Sequence, residues 1–422
     1  MATGPANLTG LFKEAYGDSV ENLIPESAKI TKMVPFVQRD KETGNLYHQP
    51  VIVSNEHGVT YATVDAGAFA LNTAISMQMK DAQISGAQIL LRSSLSYDAA
   101  SRASNGKKAF MKATELMVQN MMESGVNRLE IAALYGGSGL AVCASSVNTD
   151  GTHTVVQLTT TSWATGIWLG KETCKVNFYD LTVLVSSGAD SVFVIDSVDV
   201  ANRKLTISGT ATGITALDSD LAGAGAGVTK IFFNGAKSNE MSGLDAIITN
   251  TGLLFNVNAG IYNLWKGNSY SASSAALTMG KILSATSLAV QRGLNEKATV
   301  FLNPDTWTNV ASDLAALRKF DGSYSRQRAE NGVESISFYH QNGELELVGW
   351  NLVKEGEGFI VPMKRVKRLG STDFTFKTPG REDEIFLHLA DNAGYELRLY
   401  TDQAIFLETP ARATKITGIV NS

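Results

Sequence analysis

Residues 107–136 read KKAFMKATELMVQNMMESGVNRLEIAALYG and form the strongest helical pattern in the chain. An apolar stripe at helical spacing runs along this segment and consists of Phe110, Ala113, Met117, Met121 and Leu129. At 1.5 Å per residue the helix is roughly 45 Å long, which is enough for the spine of a domain. Gly125 costs about 1 kcal/mol relative to alanine, so we expect a kink or close packing there.

The segment at the end of this helix, YGGSGLA (residues 135–141), is similar to a nucleophile elbow. The elbow pattern G-x-S-x-G fails because Leu140 occupies its last position. Glycines directly after a helix are typical of a helix terminator. We therefore expect these residues to end the helix, although a hydrolase hypothesis would use Ser138.

The chain before residue 46 predicts an arm. Residues 7–23 place Phe12 and Tyr16 on an apolar helix face that Pro25 ends. Ile30–Gln38 is β-prone, so a short helix should lead into an extended segment. Such an arm has little core of its own.

Residues 46–93 predict a long two-armed β-loop. Ile75, Met77 and Met79 alternate with polar residues, as in a half-buried strand. After Asp81 the apolar parity shifts to Ala82, which indicates a bulge or bend. An isolated two-stranded ribbon is marginally stable in water, so we expect this loop to pack against another molecule.

Residues 149–235 predict an inserted all-β domain, a barrel or sandwich of short strands. Near its end, Gly223, Gly225 and Gly227 lie ahead of a hydrophobic run. Their spacing is not G-x-G-x-x-G, and a strand rather than a helix should follow, so we expect a bend and not a phosphate cradle. Asp218 and Asp220 should form a polar turn before it.

The last part of the chain mixes helices and strands, which indicates an α+β class. Asn303 is expected to cap a helix that begins at Pro304. Arg326 and Arg328 lie in a polar loop, residues 319–332, which is either at an axis shared by subunits or an ordinary exposed loop.

Composition excludes several functions. A net charge of -5 argues against binding nucleic acid through clustered Lys and Arg. The start of the chain has no signal-peptide pattern and no stretch is long enough to cross a bilayer, so we expect a cytosolic protein. Cys143 and Cys174 should be reduced thiols, and the five histidines show no metal-ligand spacing.

Several segments together resemble the major capsid proteins of tailed bacteriophages. They are LSYDAASRASNGKKAF (95–110), RLEIAALYG (128–136), NEMSGLDAIITNTG (239–252), YNLWKGN (262–268), FLNPDTW (301–307) and GYELRLYTDQAIF (394–406). The resemblance implies the Hong-Kong-97-like α+β capsid fold with an extra inserted β domain. The implied parts are an N-terminal arm (1–45), an extended β-loop (46–93), a peripheral domain with the spine helix (94–148), the β insertion (149–235), an axial domain (236–370) and a return to the peripheral domain (371–422).

The resemblance also implies a structural role and no enzyme, cofactor or metal. The chain should form pentamers and hexamers of an icosahedral shell around double-stranded DNA, assembled in the host cytoplasm with a separate scaffolding protein and a portal protein. Binding of a decoration protein is left open, and no membrane or sequence-specific DNA contact is expected. The alternatives are a cellular nanocompartment shell and, as an enzyme, a hydrolase or nucleotide-binding protein. Expected inter-subunit contacts are Phe12, Tyr16, Ile75, Met77, Met79, Lys80, Asp81, Arg326 and Arg328.

Overall fold

The computed structural model describes residues 28–38, 46–97, 113–318, 335–377, 385–389 and 393–421. These residues belong to two compact units. The smaller unit includes the described residues within 91–125 and 376–399, and the larger unit includes those within 26–90, 126–375 and 400–422.

The described helices are α1 (Ile30–Met33), α2 (Ala113–Tyr135), α3 (Thr165–Trp168), α4 (Ala211–Leu221), α5 (Leu244–Thr249), α6 (Met279–Gln291) and α7 (Pro304–Arg318). The strands up to the middle of the chain are β1 (Phe36–Gln38), β2 (Leu46–Ser54), β3 (Gln78–Ser85), β4 (Ala87–Ser96), β5 (Ala141–Asn148), β6 (His153–Leu158), β7 (Lys175–Asp180), β8 (Val183–Leu184), β9 (Phe193–Asp199), β10 (Lys204–Ser208) and β11 (Lys230–Phe233). The later strands are β12 (Leu253–Leu254), β13 (Val257–Asn258), β14 (Asn268–Ala275), β15 (Ala298–Leu302), β16 (Ser335–His340), β17 (Gly343–Gly349), β18 (Gly358–Val361), β19 (Val366–Thr375), β20 (Phe386–His388), β21 (Gly394–Leu407) and β22 (Thr414–Ile419).

Helix α2 confirms the predicted spine helix and its end at Tyr135. Met121 and Leu129 of the predicted stripe are buried, while Phe110 lies outside the described residues. The last two turns of α2 are buried on every side and not on one face only, because residues 129–135 are all buried. Gly125 is buried within the continuous helix, and the division between the two units falls at this residue.

Seven strands in the larger unit form one sheet in the order β11-β5-β6-β10-β9-β7-β8. An additional pairing between β11 and β7 closes this sheet into a small barrel. Its interior is filled by fully buried apolar side chains, among them Phe178, Phe193, Ile195, Leu205 and Ile207. The segment was expected to be all-β, but it also contains helix α4, which buries Ile214 and Leu217.

A second sheet of the larger unit has six strands in the order β14-β22-β18-β15-β17-β16. Helices α6 and α7 pack with it around a separate apolar core that includes Ile282 and Val310. The predicted cap of α7 is confirmed, since Asn303 Oδ1 accepts a hydrogen bond of 3.0 Å from the Asp305 backbone N–H.

The arm segment before β2 is only partly extended. Ile30–Met33 forms one helical turn instead of the expected strand, and β1 then pairs in parallel with β19. The reason lies in the spine helix, where the buried Glu130 carboxylate accepts the backbone N–H groups of Ile30 at 3.0 Å and Thr31 at 2.7 Å. These bonds satisfy donors that a helix start leaves free. The pattern of residues 30–38 alone contained no signal for this partner.

The smaller unit contains a hairpin of β20 with the first residues of β21. Its register places Leu387 opposite Glu396 and His388 opposite Tyr395. Leu397 and Leu399 are buried, but Ile385 is exposed. The register puts Leu387 on the face of Glu396 rather than on that of Leu397, so Leu387 and Leu397 lie on different faces of the hairpin.

Candidate functional site

The β2–β3 loop, residues 46–85, is a paired base with an irregular tip. Strands β2 and β3 pair antiparallel from Leu46 and Ser85 up to Ser54 and Gln78. Residues 55–77 contain no helix or strand, and a backbone hydrogen bond from His57 N to Ile75 O (3.1 Å) is one link across them. The bulge expected after Asp81 is absent there, because the register shift lies on β2 between Ile52 and Ser54.

The two ends of this loop bury different amounts of apolar surface. At the base, Ala82 and Ile84 are fully packed against the larger unit. Met79 points to the opposite face of β3, since strand side chains alternate, and it is 52% exposed. The expected half-buried strand through Ile75 and Met77 is wrong, because both residues precede β3 and are exposed.

The tip of the loop exposes several large apolar side chains. Its exposed large apolar residues are Val59, Tyr61, Val64, Phe69, Leu71, Ile75 and Met77. Exposed apolar patches of this kind mark surfaces that bind another protein or a membrane. In the part of the chain that the structure describes, no helix has the length and apolar composition needed to cross a bilayer.

A strained turn fixes the base of the loop. Phe255 and Asn256 join β12 to β13 with backbone φ angles of +51° and +63°, a conformation that favours glycine. Phe255 O accepts a hydrogen bond of 2.9 Å from Gln83 N, and the Asn256 amide donates to Asp81 O at 3.3 Å. The turn therefore holds β3 through its backbone, while the tip is left uncovered.

Polar contacts add to this base. His48 Nδ1 lies 2.5 Å from Asp81 Oδ2, and this hydrogen bond lowers the pKa of the Asp81 carboxyl from its ordinary value. Lys80 Nζ lies 5.9 Å from the ring centre of Tyr262, whose hydroxyl donates to the Gln78 side chain at 3.3 Å. Lys80 and Asp81 are thus already engaged within the subunit. No pattern in the sequence indicates either partner.

The remaining expected contact residues cannot be placed. Phe12, Tyr16, Arg326 and Arg328 lie outside the described residues. Of the expected set, the structure brings Ile75, Met77, Met79, Lys80 and Asp81 together on one loop.

The glycine stretch lies after a helix and not before one. Gly223, Gly225 and Gly227 connect the C-terminus of α4 to β11. A helix C-terminus presents carbonyl oxygens and the negative end of the helix dipole, which disfavours a phosphate. Gly227 has a φ of +78°, so this residue makes the bend that glycine allows.

The two aspartates before this bend do not form the expected turn. Asp218 and Asp220 lie on α4, where their carboxylates are occupied by neighbouring donors. Asp218 accepts 2.8 Å hydrogen bonds from Asn148 and Thr154, and Asp220 accepts one of 2.6 Å from Thr229. The Asp-x-Asp pair therefore ties α4 to the barrel. Among the residues that can be described, no group of three or more His, Cys, Asp or Glu side chains is placed to hold a metal ion.

The segment after the spine helix is a terminator, as expected. Gly137 and Gly139 have φ angles of +77° and +92°, and the backbone N–H of Ser138 donates to Tyr135 O at 2.8 Å. A side chain at position 136 would lie 2.1 Å from the carbonyl oxygen of Met241. The glycines of YGGSGLA thus serve the helix end and close packing.

Whole-chain structural comparison identifies the fold. The capsid asymmetric unit of cyanophage A-1(L) matches with a TM-score of 0.57 at 10% identity, covering 99% of this chain and 99% of that chain. The chain has the fold of phage capsid proteins. The same fold matches the capsid of a native GTA particle, with a TM-score of 0.51 at 8% identity over 100% of both chains. The capsid of cyanophage P-SCSP1u matches with a TM-score of 0.50 at 10% identity, over 100% of this chain and 96% of that one.

The capsid fold is recognisable here from structure and not from sequence similarity. No protein-family model matches the chain, and no curated protein matches it either. At identities of 8–10%, the fold is shared although most of the residues differ.

Proposed function

We propose that this chain is the major capsid protein of a tailed phage, which assembles as pentamers and hexamers into an icosahedral shell around double-stranded DNA. The observation that carries the proposal is the capsid fold over 99% of the chain. The uncovered apolar tip of the β2–β3 loop supports it, because a shell subunit must leave such surface for its neighbours.

The parts of the subunit follow from this role. We assign residues 1–45 to an arm, 46–93 to the extended loop, 94–148 and 371–422 to a peripheral domain, and 236–370 to an axial domain. Contacts between subunits are assigned to Phe12, Tyr16, Ile75, Met77, Met79, Lys80, Asp81, Arg326 and Arg328. Symmetry repeats each contact around a closed ring, so individually modest interfaces add up to a durable shell.

The inserted barrel is proposed to be a rigid extension of the subunit. Arg203 of the barrel donates two hydrogen bonds, of 3.2 and 2.9 Å, to the carboxylate of Glu355, which lies outside the barrel between β17 and β18. Glu355 N donates to Trp163 O at 2.8 Å, and Gly166 N donates to Asn351 O at 3.0 Å. Close backbone contacts of this kind hold the barrel in one orientation, so it should move with the rest of the larger unit.

The partners of a phage shell are a scaffolding protein, a portal protein and the packaged genome. The net charge of -5 suits a wall that lets DNA move instead of binding it tightly. The chain itself is proposed to be structural and to have no catalytic residue. The shell would form in the host cytoplasm and become the capsid of the virion.

Electron microscopy of the expressed chain tests the proposal. The chain is expressed alone and with the products of its neighbouring reading frames, which should include a scaffold and a portal. We expect closed icosahedral particles, and nuclease-protected DNA in particles from infected cells. Soluble monomers under all of these conditions would contradict the capsid assignment, and particles that enclose an enzyme instead of DNA would assign a nanocompartment.

A further inference from the structure

Three ionisable side chains meet inside the larger unit, where the last strand passes the start of helix α5. Lys415 lies on β22, Asp245 lies in the first turn of α5, and Glu357 directly precedes β18. Lys415 Nζ donates one hydrogen bond to Asp245 Oδ1 and another, of 2.8 Å, to Glu357 Oε1. The side chains of Lys415 and Asp245 are each only 9% exposed, so an amine and a carboxyl group are in contact with little access to water.

The surroundings of this contact are partly apolar and include a carboxylate oxygen without a partner. The ring of Phe359 is fully buried, and its centre lies 5.8 Å from Lys415 Nζ. Glu357 Oε2 is buried and has no hydrogen-bond partner among the residues that the structure describes. A buried acceptor without a partner costs free energy, so its presence beside Lys415 calls for an explanation. An oxygen in this position can accept a proton during a reaction of its neighbours.

A second lysine balances the charge of this cluster. Lys354 is buried, and its Nζ donates to Gly139 O at 3.0 Å. Burial lowers the pKa of Lys354 below its ordinary value, although the nearby carboxylates raise it. Burial also disfavours the charge on Lys415, but Glu357 and Asp245 hold its pKa above the ordinary value, so the starting state is an ion pair. If Lys415 and Asp245 lost their charges together, Lys354 would still balance Glu357 and no buried charge would be left alone.

We propose that Lys415 and Asp245 form an isopeptide bond between Nζ and Cγ, a covalent link within one subunit, with Glu357 as the proton relay. One proton passes from Lys415 Nζ to Asp245, which gives a neutral amine and a neutral acid. Nζ then attacks Cγ, and Glu357 takes the proton that Nζ loses and passes it to the departing hydroxyl. The C–N bond forms, the Cγ–O bond breaks, one water leaves, and Glu357 returns to its starting state.

Two physical features favour this reaction. Burial penalises the two charges of an ion pair but not the neutral amide that replaces them. The reacting groups are held in contact by α5 and β22, which raises their effective concentration far above that of free reactants. Each subunit reacts once on its own side chains, so this is a modification and not enzymatic turnover. It does not depend on the proposed shell function.

Intact-mass spectrometry of the purified full-length chain tests the proposal. We expect the chain to be lighter than its sequence mass by one water. Lys415→Arg keeps the positive charge but cannot form this amide, so it should have its full sequence mass, and circular dichroism establishes that it is folded. Tryptic digestion of the wild type should yield a branched peptide that joins residues 238–266 to residues 413–422, and fragmentation should place the link at Asp245 and Lys415.

An exposed lysine–carboxylate pair is the control within the same digest. Lys297 Nζ lies 2.9 Å from Glu346 and its side chain is 43% exposed, so this pair should stay unlinked. Two variants examine the roles of the buried groups. Asp245→Ala removes the carboxyl group and should abolish the link. Glu357→Gln keeps the size of the side chain but cannot relay a proton, and it should slow link formation by about 100-fold or more, which leaves chains of full mass.

The wild-type measurement decides the proposal even if a variant does not fold. A folded wild-type chain with its full sequence mass would overturn the link and leave a buried ion pair. A branched peptide that joins Lys415 to Glu357 would overturn the assignment of the two carboxylates, and a complete link in folded Glu357→Gln would overturn the proton relay. Because mass is measured on single chains, each of these results is independent of whether the chain forms a shell.

Discussion

The closed barrel of residues 141–233 and the β2–β3 loop of residues 46–85 are both built from short β-prone runs, but they treat apolar side chains in opposite ways. In the barrel, Phe178 and Phe193 are fully buried and their rings meet edge to face, with centres 5.1 Å apart. In the loop, Tyr61 and Phe69 are exposed. The barrel completes its core within one subunit. The loop does not, which is the arrangement expected of a surface that a second molecule covers.

The largest effect should come from truncating the same residue type in the two regions. Phe178→Ala removes a fully buried ring and should lower the free energy of unfolding by about 3–5 kcal/mol. Phe69→Ala removes an exposed ring and should change it by less than about 0.5 kcal/mol. Urea unfolding of dissociated subunits measures both. A loss of comparable size for Phe69→Ala would mean that the tip is packed within its own subunit, and the contrast would be broken.

A smaller effect is expected at the bend that ends the barrel. A Cβ at Gly225 would lie 2.1 Å from Asp220 Oδ2, so Gly225→Ala should displace the Asp220 carboxylate from Thr229 and cost about 1–3 kcal/mol. Gly223→Ala is the matched control, because the nearest atom to its Cβ would be 3.5 Å away. Thermal unfolding compares the two variants. Equal stability of both would remove the packing argument, and a loss of nucleotide affinity in Gly225→Ala would revive the phosphate-binding hypothesis.

These two regions also indicate how far sequence could predict the subunit. The long helix, its glycine terminator and the Asn303 cap were predictable, because local residue patterns determine them. Helix α4 was missed, because the Thr, Ser and Gly content around Asp218 is typical of turns and the helix is stabilised by Asn148 and Thr154 of the barrel. The exposure of Ile75, Met77 and Met79 likewise could not be predicted from the local sequence pattern. Alternation predicts one covered face, but whether the subunit itself supplies the cover depends on the tertiary fold.

The arm is attached to the spine helix by a carboxylate whose ionisation should be measurable. Burial raises the pKa of Glu130 above its ordinary value of 4.5, against the hydrogen bonds from Thr31 and Ile30 that lower it. The folded chain therefore binds this proton more tightly than the unfolded chain. Its contribution to stability is present below pH 4.5 and is lost as the pH rises through the folded pKa.

Glu130→Gln isolates this contribution, because glutamine keeps an acceptor oxygen but does not ionise. We expect the free energy of unfolding of the wild type, relative to the variant, to fall as the pH is raised above 4.5. Urea titrations of both proteins over a series of pH values measure the difference, in which other titrating groups cancel. A difference that stays constant or grows with pH would show that the backbone donors outweigh burial at this site.

The smallest effect is expected from chemical labelling of the two cysteines of the barrel region, which should leave the stability of the folded subunit unchanged. Cys143 is buried in β5, and burial strongly raises the pKa of its thiol, so it should not react with iodoacetamide in the folded subunit. Cys174 is half-buried, with its sulfur 3.0 Å from Arg128 Nη2, and it should be labelled. Mass spectrometry after timed labelling distinguishes the sites, and Cys174→Ser confirms the assignment.

Because the barrel is closed, Cys143 should react only at the rate of global unfolding. Faster labelling of Cys143 would mean that the barrel opens by itself, and that its core is less independent than the comparison with the loop implies.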